Sequence, residues 1–184
     1  MNKPVYVTRF NNETFEMNIN YCNNYEAKEC IYNTPVLFNN KTRDSDKIYV
    51  LEMNNSINKI VGIGMITPRS YTRKHKIYKD AHYNRYSYEG KYRISISECT
   101  DEIIKIVEEL ERVIFYTKGH IKRGHGIQNL PMNSYRICED KCVPKNKGLY
   151  DYINELFVIK KCEPTRTDNI TVNDHDIIND KPKQ

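Results

Sequence analysis

The residues best suited to chemistry lie in one basic segment, Lys118-Gly-His-Ile-Lys-Arg-Gly-His-Gly-Ile127, called here the basic loop. Its glycines let backbone N–H groups approach a ligand closely, and its Lys and Arg side chains supply charge for an anion. The segment therefore predicts a phosphate-binding loop, and the alternative is a helix C-terminus that runs into a basic surface turn. The candidate contacts are Lys118, His120, Lys122, Arg123 and His125.

A nucleotide-binding P-loop is excluded, although Gly119 and Gly124 have its Gly-x-x-x-x-Gly spacing. His125-Gly126 stands where that motif requires Lys followed by Ser or Thr. The segment also follows a predicted helix, whereas a P-loop follows a strand.

A second basic region spans residues 69–93, with eight Lys/Arg against Asp80 and Glu89. The whole chain has a net charge of only +5, so with the basic loop this region indicates one positive face. Tyrosines interleave with the cations, and aromatic rings stack on exposed bases with about 1–3 kcal/mol per base. The pattern favours nucleic acid, and the alternative is that tyrosines merely cover a barrel surface. The candidates are Arg73, Lys74, Arg85, Arg93, Tyr83, Tyr86 and Tyr88, with Asn54 and Asn55 at the tip of a predicted hairpin.

The order His-x4-His-x12-Cys-x3-Cys gives a weak zinc candidate. Imidazole and thiolate are zinc ligands, but the glycines around His125 make coincidence the better explanation of this spacing. The sequence therefore predicts no metal and no cofactor. The candidate ligands are His120, His125, Cys138 and Cys142.

A phosphodiesterase or nucleotide-processing enzyme is a further alternative, with His120 and His125 acting beside Glu52 or Glu98. No spacing requires it, and Glu52 is more simply an outward-facing strand residue. No catalytic residue is identified, and an enzyme is not favoured.

Period-two patterns predict the strands. Residues 47–53 and 59–66 form a hairpin with a five-residue loop, and Gly62 and Gly64 on one face suit barrel curling or close approach of another element. Further strands are expected at residues 4–10 (an edge strand), 36–38 and 92–96.

The 3.6-residue period predicts a long helix from the N-cap Thr100 to Gly119, with its polar face, Glu111 included, in solvent. A shorter helix is expected at residues 149–158, and residues 13–34 have little periodicity. The composition predicts one globular domain over residues 1–162 and a disordered tail over residues 163–184.

The sequence shows no apolar run of transmembrane length and no N-terminal secretion signal, so an intracellular protein is expected. The six cysteines are then expected to be reduced thiols of an intracellular protein, neither secreted nor bound to a membrane.

Four segments resemble blocks of an uncharacterised protein family of large nucleo-cytoplasmic DNA viruses, the giant viruses. They are Val50-Leu-Glu-Met-Asn-Asn-Ser56, Asn58-Lys-Ile-Val-Gly-Ile-Gly-Met-Ile66, Tyr83-Asn-Arg-Tyr-Ser-Tyr88 with Gly90-Lys-Tyr-Arg-Ile94, and Gly119-His-Ile-Lys-Arg-Gly-His-Gly-Ile127. The resemblance implies a viral origin, in the host cytoplasm, a viral factory or the virion.

The order of strand, Gly-x-Gly, Tyr-rich excursion, strand and helix is similar to the PUA-like superfamily, which includes EVE, YTH and ASCH domains. That likeness implies binding of RNA or modified bases in an aromatic pocket, here built from Tyr because the chain has no Trp.

The prediction is an α+β fold, either a small PUA-like β-barrel or a strongly curved mixed sheet, with one long and one or two short packed helices. The predicted function is a nucleic-acid-binding module for RNA or for single-stranded or modified DNA. The alternative is a virion structural or interaction protein whose positive face meets an acidic protein partner. The oligomeric state stays open.

Overall fold

The structure is a computed structural model that describes residues 3–25, 28–38, 47–72, 75–118, 120–144 and 147–162. Arg73, Lys74, Gly119 and residues 163–184 lie outside the described residues, as do the side chains of residues 141, 142 and 160–162. The predicted tail and two predicted cations therefore stay predictions.

Eight strands and four α-helices follow one another along the described chain. Short 3-10 helices lie at Ala81–Asn84 and Ile96–Glu98. The order is β1 (Tyr6–Phe10), α1 (Asn12–Asn23), β2 (Cys30–Thr34), β3 (Ile48–Asn54), β4 (Lys59–Ile66), β5 (Tyr71–Thr72), β6 (Tyr86–Gly90), β7 (Tyr92–Ser95), α2 (Asp101–Tyr116), β8 (Gln128–Asn129), α3 (Met132–Cys142) and α4 (Leu149–Cys162).

The strands form two sheets, one ordered β7-β4-β3-β1-β8 and one ordered β2-β6-β5. Among the strand pairings of the described residues, only that of β1 with β3 is parallel. The α+β prediction is confirmed, whereas the barrel alternative is wrong because the described strands do not close into one. The PUA-like identity stays a prediction.

Alternation along β1 explains the layers. Val5 and Val7 face a core shared with α2, α3 and α4, whereas Tyr6 and Phe10 face a second core between the sheets. Helix α1 packs on the far side of the smaller sheet, where its Cys22 clusters with Ile31 of β2. The five-stranded sheet is therefore buried on both faces, which suits its nearly continuous apolar strands.

The β3–β4 hairpin is confirmed, with Asn58 at a positive φ of 53° in its turn. Close approach at the paired glycines is also confirmed, since a Cβ at Gly64 would overlap the Tyr32 hydroxyl from the other sheet. Strand β7 is confirmed at residues 92–95.

Two strand predictions are wrong. β1 is not an edge strand because it lies between β3 and β8. Residues 36–38 form no strand, and Val36 and Leu37 are exposed while Phe38 is buried.

Helix α2 is confirmed, but its polar face is not wholly solvated. Glu111 is buried and accepts hydrogen bonds from Ile60 N (2.8 Å) and Lys59 Nζ (2.9 Å), so the prediction for this residue is wrong. The helix thus fixes the start of β4 as well as packing on the sheet. Helix α4 is confirmed and extends beyond the predicted end.

Candidate functional site

A cavity of about 280 Å³ lies where β1 ends and α1 begins, and we call it the Arg9 cavity. Parts of the chain distant in sequence meet here: the end of β2, the hairpin tip, the segment around the first 3-10 helix, and the basic loop. The lining residues are Thr8, Arg9, Phe10, Asn11, Thr14, Asn33, Pro35, Asn55, Tyr78, Tyr83, Gly124, His125 and Gly126.

The shortness of β8 helps to open this site. β8 pairs only with Tyr6 and Val7, so within the described chain the edge of β1 from Thr8 onward has no strand partner on that side. The basic loop lines the cavity here with Gly124 and Gly126 at φ values of 138° and 68°, a region that favours glycine. At these two positions the wall carries no side chain, and His125 between them also lines the cavity.

Three buried polar atoms of the lining residues have no hydrogen-bond partner within the described part of the chain. They are Arg9 Nη1, Asn33 Oδ1 and Asn55 Oδ1. Buried polar groups are nearly always satisfied, and exceptions mark places where another molecule can supply the partner. Three residues of the lining thus each contain one buried polar atom whose partner the described chain does not supply.

Arg9 is anchored through Nε, which donates to the Ile121 carbonyl oxygen at 2.5 Å. Burial lowers the pKa of the Arg9 guanidinium to about 10, which leaves it charged at neutral pH. A half-buried cation in the lining of a cavity is suited to an anionic ligand.

Asn33 lines the cavity and is held in place by Asn84, which lies outside the lining. Asn33 Nδ2 donates to His75 O (2.8 Å) and to Asn84 Oδ1 (2.9 Å), and that Asn84 oxygen also accepts from Ile77 N and Tyr78 N at 3.0 Å. The network fixes the segment that presents Tyr78 and Tyr83, whose rings meet edge to face at 6.4 Å.

Asn55 joins the hairpin to the basic loop, since its Nδ2 donates to Lys122 O at 2.8 Å. This hydrogen bond fixes the position of the hairpin tip relative to the basic loop. Of the predicted site residues, the structure brings Asn55, Tyr83 and His125 together in the Arg9 cavity.

Other predicted residues lie on the surface outside the cavity lining. Lys122 Nζ lies over the Phe115 and Tyr116 rings at 5.9 and 5.7 Å, and the Arg85 guanidinium lies 5.8 Å from the ring centre of Tyr86. The exposed residues are Lys118, His120, Arg123 and Arg85, and Tyr86 is half-buried.

Two further predicted residues serve the fold. Tyr88 is fully buried and its hydroxyl accepts from Phe38 N at 2.7 Å. Asn54 is buried, donates to Asn12 Oδ1 and accepts from Ser56 N, both at 3.0 Å. Neither side chain is placed to contact a base.

Arg93 pairs with Glu52 between β7 and β3. Arg93 Nη2 lies 2.6 Å from Glu52 Oε2, and Glu52 Oε1 also accepts from the Tyr32 hydroxyl at 2.7 Å. Burial alone would lower the pKa of Arg93, but the Glu52 carboxylate raises it. The expectation that Glu52 faces outward is wrong, because its side chain is 1% exposed between the sheets.

The zinc candidates are not brought together. Among the described side chains, which exclude that of Cys142, no group of three or more His, Cys, Asp or Glu could hold a metal ion. Cys138 is buried in the helical core while His120 and His125 are exposed.

Sequence reasoning missed Arg9, Asn33 and Tyr78. Arg9 lies on the same face of β1 as Val5 and Val7. A cation at the end of an otherwise apolar strand face was the sequence signal that could have identified it. Asn33 gave no signal because β2 itself was not predicted.

Neither a protein-family model nor a curated protein matches the sequence. The giant-virus and PUA-like resemblances therefore stay predictions, as does a location in the host cytoplasm, viral factory or virion. Within the described residues, no helix has the length and apolar character to cross a membrane.

Proposed function

We propose that this protein binds single-stranded nucleic acid and that the Arg9 cavity receives one nucleotide. The observation that supports the proposal is that Arg9, whose Nη1 has no hydrogen-bond partner within the described chain, lines one cavity together with Tyr83 and the glycines of the basic loop.

In this proposal, Arg9 and the loop glycines contact the phosphate of the nucleotide, and Tyr83 contacts its base. The Arg9 guanidinium bonds to a phosphate oxygen, assisted by the backbone of Gly124 and Gly126. Tyr83 is 40% exposed, so its ring can stack on a base without unfolding of the segment around it.

The size of the cavity favours a single strand. Its volume of about 280 Å³ is close to the lower end of the range for ligand pockets, about 300–1,000 Å³. A base stacked within a duplex cannot enter such a space unless it leaves the helix, whereas an unpaired base can be inserted directly.

The charges around the cavity are mixed. Arg123 and His125 are exposed on the basic loop, and Lys79 lies beside Tyr78 but pairs with Glu13 at 3.0 Å. Asp80 is also exposed there and caps the 3-10 helix. We expect the loop cations to hold backbone phosphates and binding to weaken as salt rises.

The test is fluorescence anisotropy of labelled single-stranded RNA, single-stranded DNA and duplex at two salt concentrations. Arg9→Gln removes the charge and retains an N–H donor for the Ile121 carbonyl, and Lys105→Ala removes an exposed charge of α2 that lies outside the cavity lining. The account predicts salt-sensitive binding of single strands that Arg9→Gln weakens and Lys105→Ala preserves. No binding of any probe at low salt would contradict it and would leave the positive face to an acidic protein partner.

A further inference from the structure

We infer that a groove between α4 and the start of α2, called here the α2–α4 groove, docks a basic amphipathic helix of a partner protein. The groove has a volume of about 430 Å³ and shares no lining residue with the Arg9 cavity. The inference therefore goes beyond the proposed function and does not rest on it. It follows from the apolar wall of the groove and from the sign of the charges that line it.

The apolar wall is a stripe of α4 that the core does not use. Tyr152, Leu156 and Ile159 line the groove at positions i, i+4 and i+7, so they share one face of the helix over about 10 Å. Ile159 is 60% exposed. Ile103 of α2 and Ile94 of β7 add apolar lining beside this stripe. An apolar surface of this length beside two helices suits a third helix that presents apolar residues at the same spacing.

The charged residues of the groove lining are all acidic, namely Glu98, Glu102 and Glu155. Glu155 already pairs with Lys147 Nζ at 2.6 Å. Glu98 and Glu102 are exposed, and among the described residues neither forms an ion pair. Complementary charge steers and orients binding partners, so the occupant is expected to carry Lys or Arg beside its apolar residues.

The same charges disfavour two other occupants. An anionic lipid surface would be repelled by the carboxylates of the groove. The segment that follows α4, residues 163–184, has more acidic than basic residues and so lacks the complementary charge. A partner helix with one apolar face flanked by Lys or Arg meets both requirements, the apolar and the electrostatic.

The probes are two labelled synthetic peptides that place Leu at the i, i+3, i+4 and i+7 positions of a helix. One peptide carries Lys at the remaining positions and the other carries Glu. Fluorescence anisotropy measures the affinity of the full-length protein for each. We expect the Lys peptide to bind about 10-fold more tightly, because two exposed carboxylates attract the first peptide and repel the second.

Ile159→Ser tests the apolar wall. It removes an exposed apolar side chain from the groove and is expected to weaken binding of the Lys peptide about 5-fold. Val158→Ser is the matched control, since Val158 is 52% exposed on the same turn of α4 but lies outside the groove lining. This control should bind the Lys peptide as the wild-type protein does.

The double variant Glu98→Lys/Glu102→Lys tests the charge. It is expected to lower the ratio of Lys-peptide to Glu-peptide affinity by about 10-fold or more, because attraction and repulsion exchange places. Glu108→Lys/Asp140→Lys makes the same change in net charge with exposed residues outside the groove lining. The ratio in this control should stay near the wild-type value.

Failure of both peptides to bind would overturn the docking site, as would equal binding of the Lys peptide by Ile159→Ser and Val158→Ser. An unchanged ratio in Glu98→Lys/Glu102→Lys would overturn the basic character of the partner. Sedimentation velocity without peptide tests a second copy of the chain as the occupant. Self-association that Ile159→Ser abolishes and Val158→Ser retains would assign the groove to that second copy and overturn the partner helix.

Discussion

Asn84 accepts a hydrogen bond from Asn33 at 2.9 Å and so joins the 3-10 helix to the end of β2. Because Asn84 also holds the backbone of residues 77 and 78, one amide positions both walls that carry Asn33 and Tyr83. The structure therefore places a scaffold residue, itself outside the cavity lining, against a residue of that lining.

Replacement of this scaffold amide, Asn84→Ala, is expected to lower both stability and affinity. It leaves buried N–H groups unpaired, which costs about 1–3 kcal/mol per group. Urea denaturation measures the free energy of unfolding, and anisotropy with single-stranded RNA measures affinity. Asn20→Ala is the control, and an Asn84→Ala protein with wild-type affinity would contradict the positioning role.

Gly126→Ala is expected to distort the basic loop. The residue has a φ of 68°, and a new Cβ would lie 3.2 Å from Thr34 Cβ. The backbone conformation alone costs about 1–2 kcal/mol for a residue with a side chain.

Gly148→Ala is the matched control for this loop. The nearest atom to its new Cβ would be Glu139 Oε1 at 3.3 Å, the end of a flexible side chain, and its φ is not in the left-handed region. Single-strand affinity should fall in Gly126→Ala and stay unchanged in Gly148→Ala. Equal affinities in the two variants would argue against this loop as a wall of the site.

Loss of the buried ion pair between Glu52 and Arg93 is expected to lower the free energy of unfolding strongly and to have no specific effect on nucleic-acid affinity. Glu52→Gln leaves a guanidinium only 14% exposed without its carboxylate, which costs about 3–5 kcal/mol. The double variant Glu52→Gln/Arg93→Met should be more stable than Glu52→Gln because the unpaired charge is gone. Urea denaturation would refute the prediction if the double variant were the less stable of the two.

Stability is expected to fall at alkaline pH. Burial raises the pKa of the Cys22 thiol from 9.0 to about 11 and that of the Tyr135 hydroxyl from 10.0 to about 12. Both groups lose protons more readily when unfolded, so the free energy of unfolding is fully maintained below pH 9 and decreases as pH rises through about 11 to 12.

The measurement for this dependence is urea denaturation below pH 9 and near pH 11, with tyrosinate absorbance followed in parallel. Cys22→Ala should reduce the decrease, because one of the titrating groups is removed. Unchanged or increasing stability across this range would contradict the prediction.

The elements that sequence predicted well are those whose burial gives a regular period. The β3–β4 hairpin and α2 each present long apolar patterns, so their existence follows from the residues alone. Helix α1 buries only Asn18 and Cys22 and is started by a capping box between Asn11 and Thr14, so it has almost no apolar period. Because α1 was not predicted, nothing in the sequence indicated the part of the cavity that is lined by the start of this helix.

The candidate site was only partly predictable for a related reason. His125 and Tyr83 belong to segments whose composition is unusual, and sequence reasoning named both. Arg9 and Asn33 acquire their importance from contacts across more than 40 residues of chain, with Ile121 and His75, which no local pattern encodes. The same limit explains Arg93, whose partner Glu52 lies 41 residues away.

Binding of single-stranded nucleic acid at the Arg9 cavity is tested most directly by ultraviolet crosslinking of the protein to single-stranded RNA. The linked peptides are identified by mass spectrometry. We expect crosslinks at Tyr83, at His125 and its neighbours in the basic loop, and at residues 8–11, all reduced in Arg9→Gln. Crosslinks confined to α2, α3 or α4, or unchanged in Arg9→Gln, would contradict binding at the Arg9 cavity.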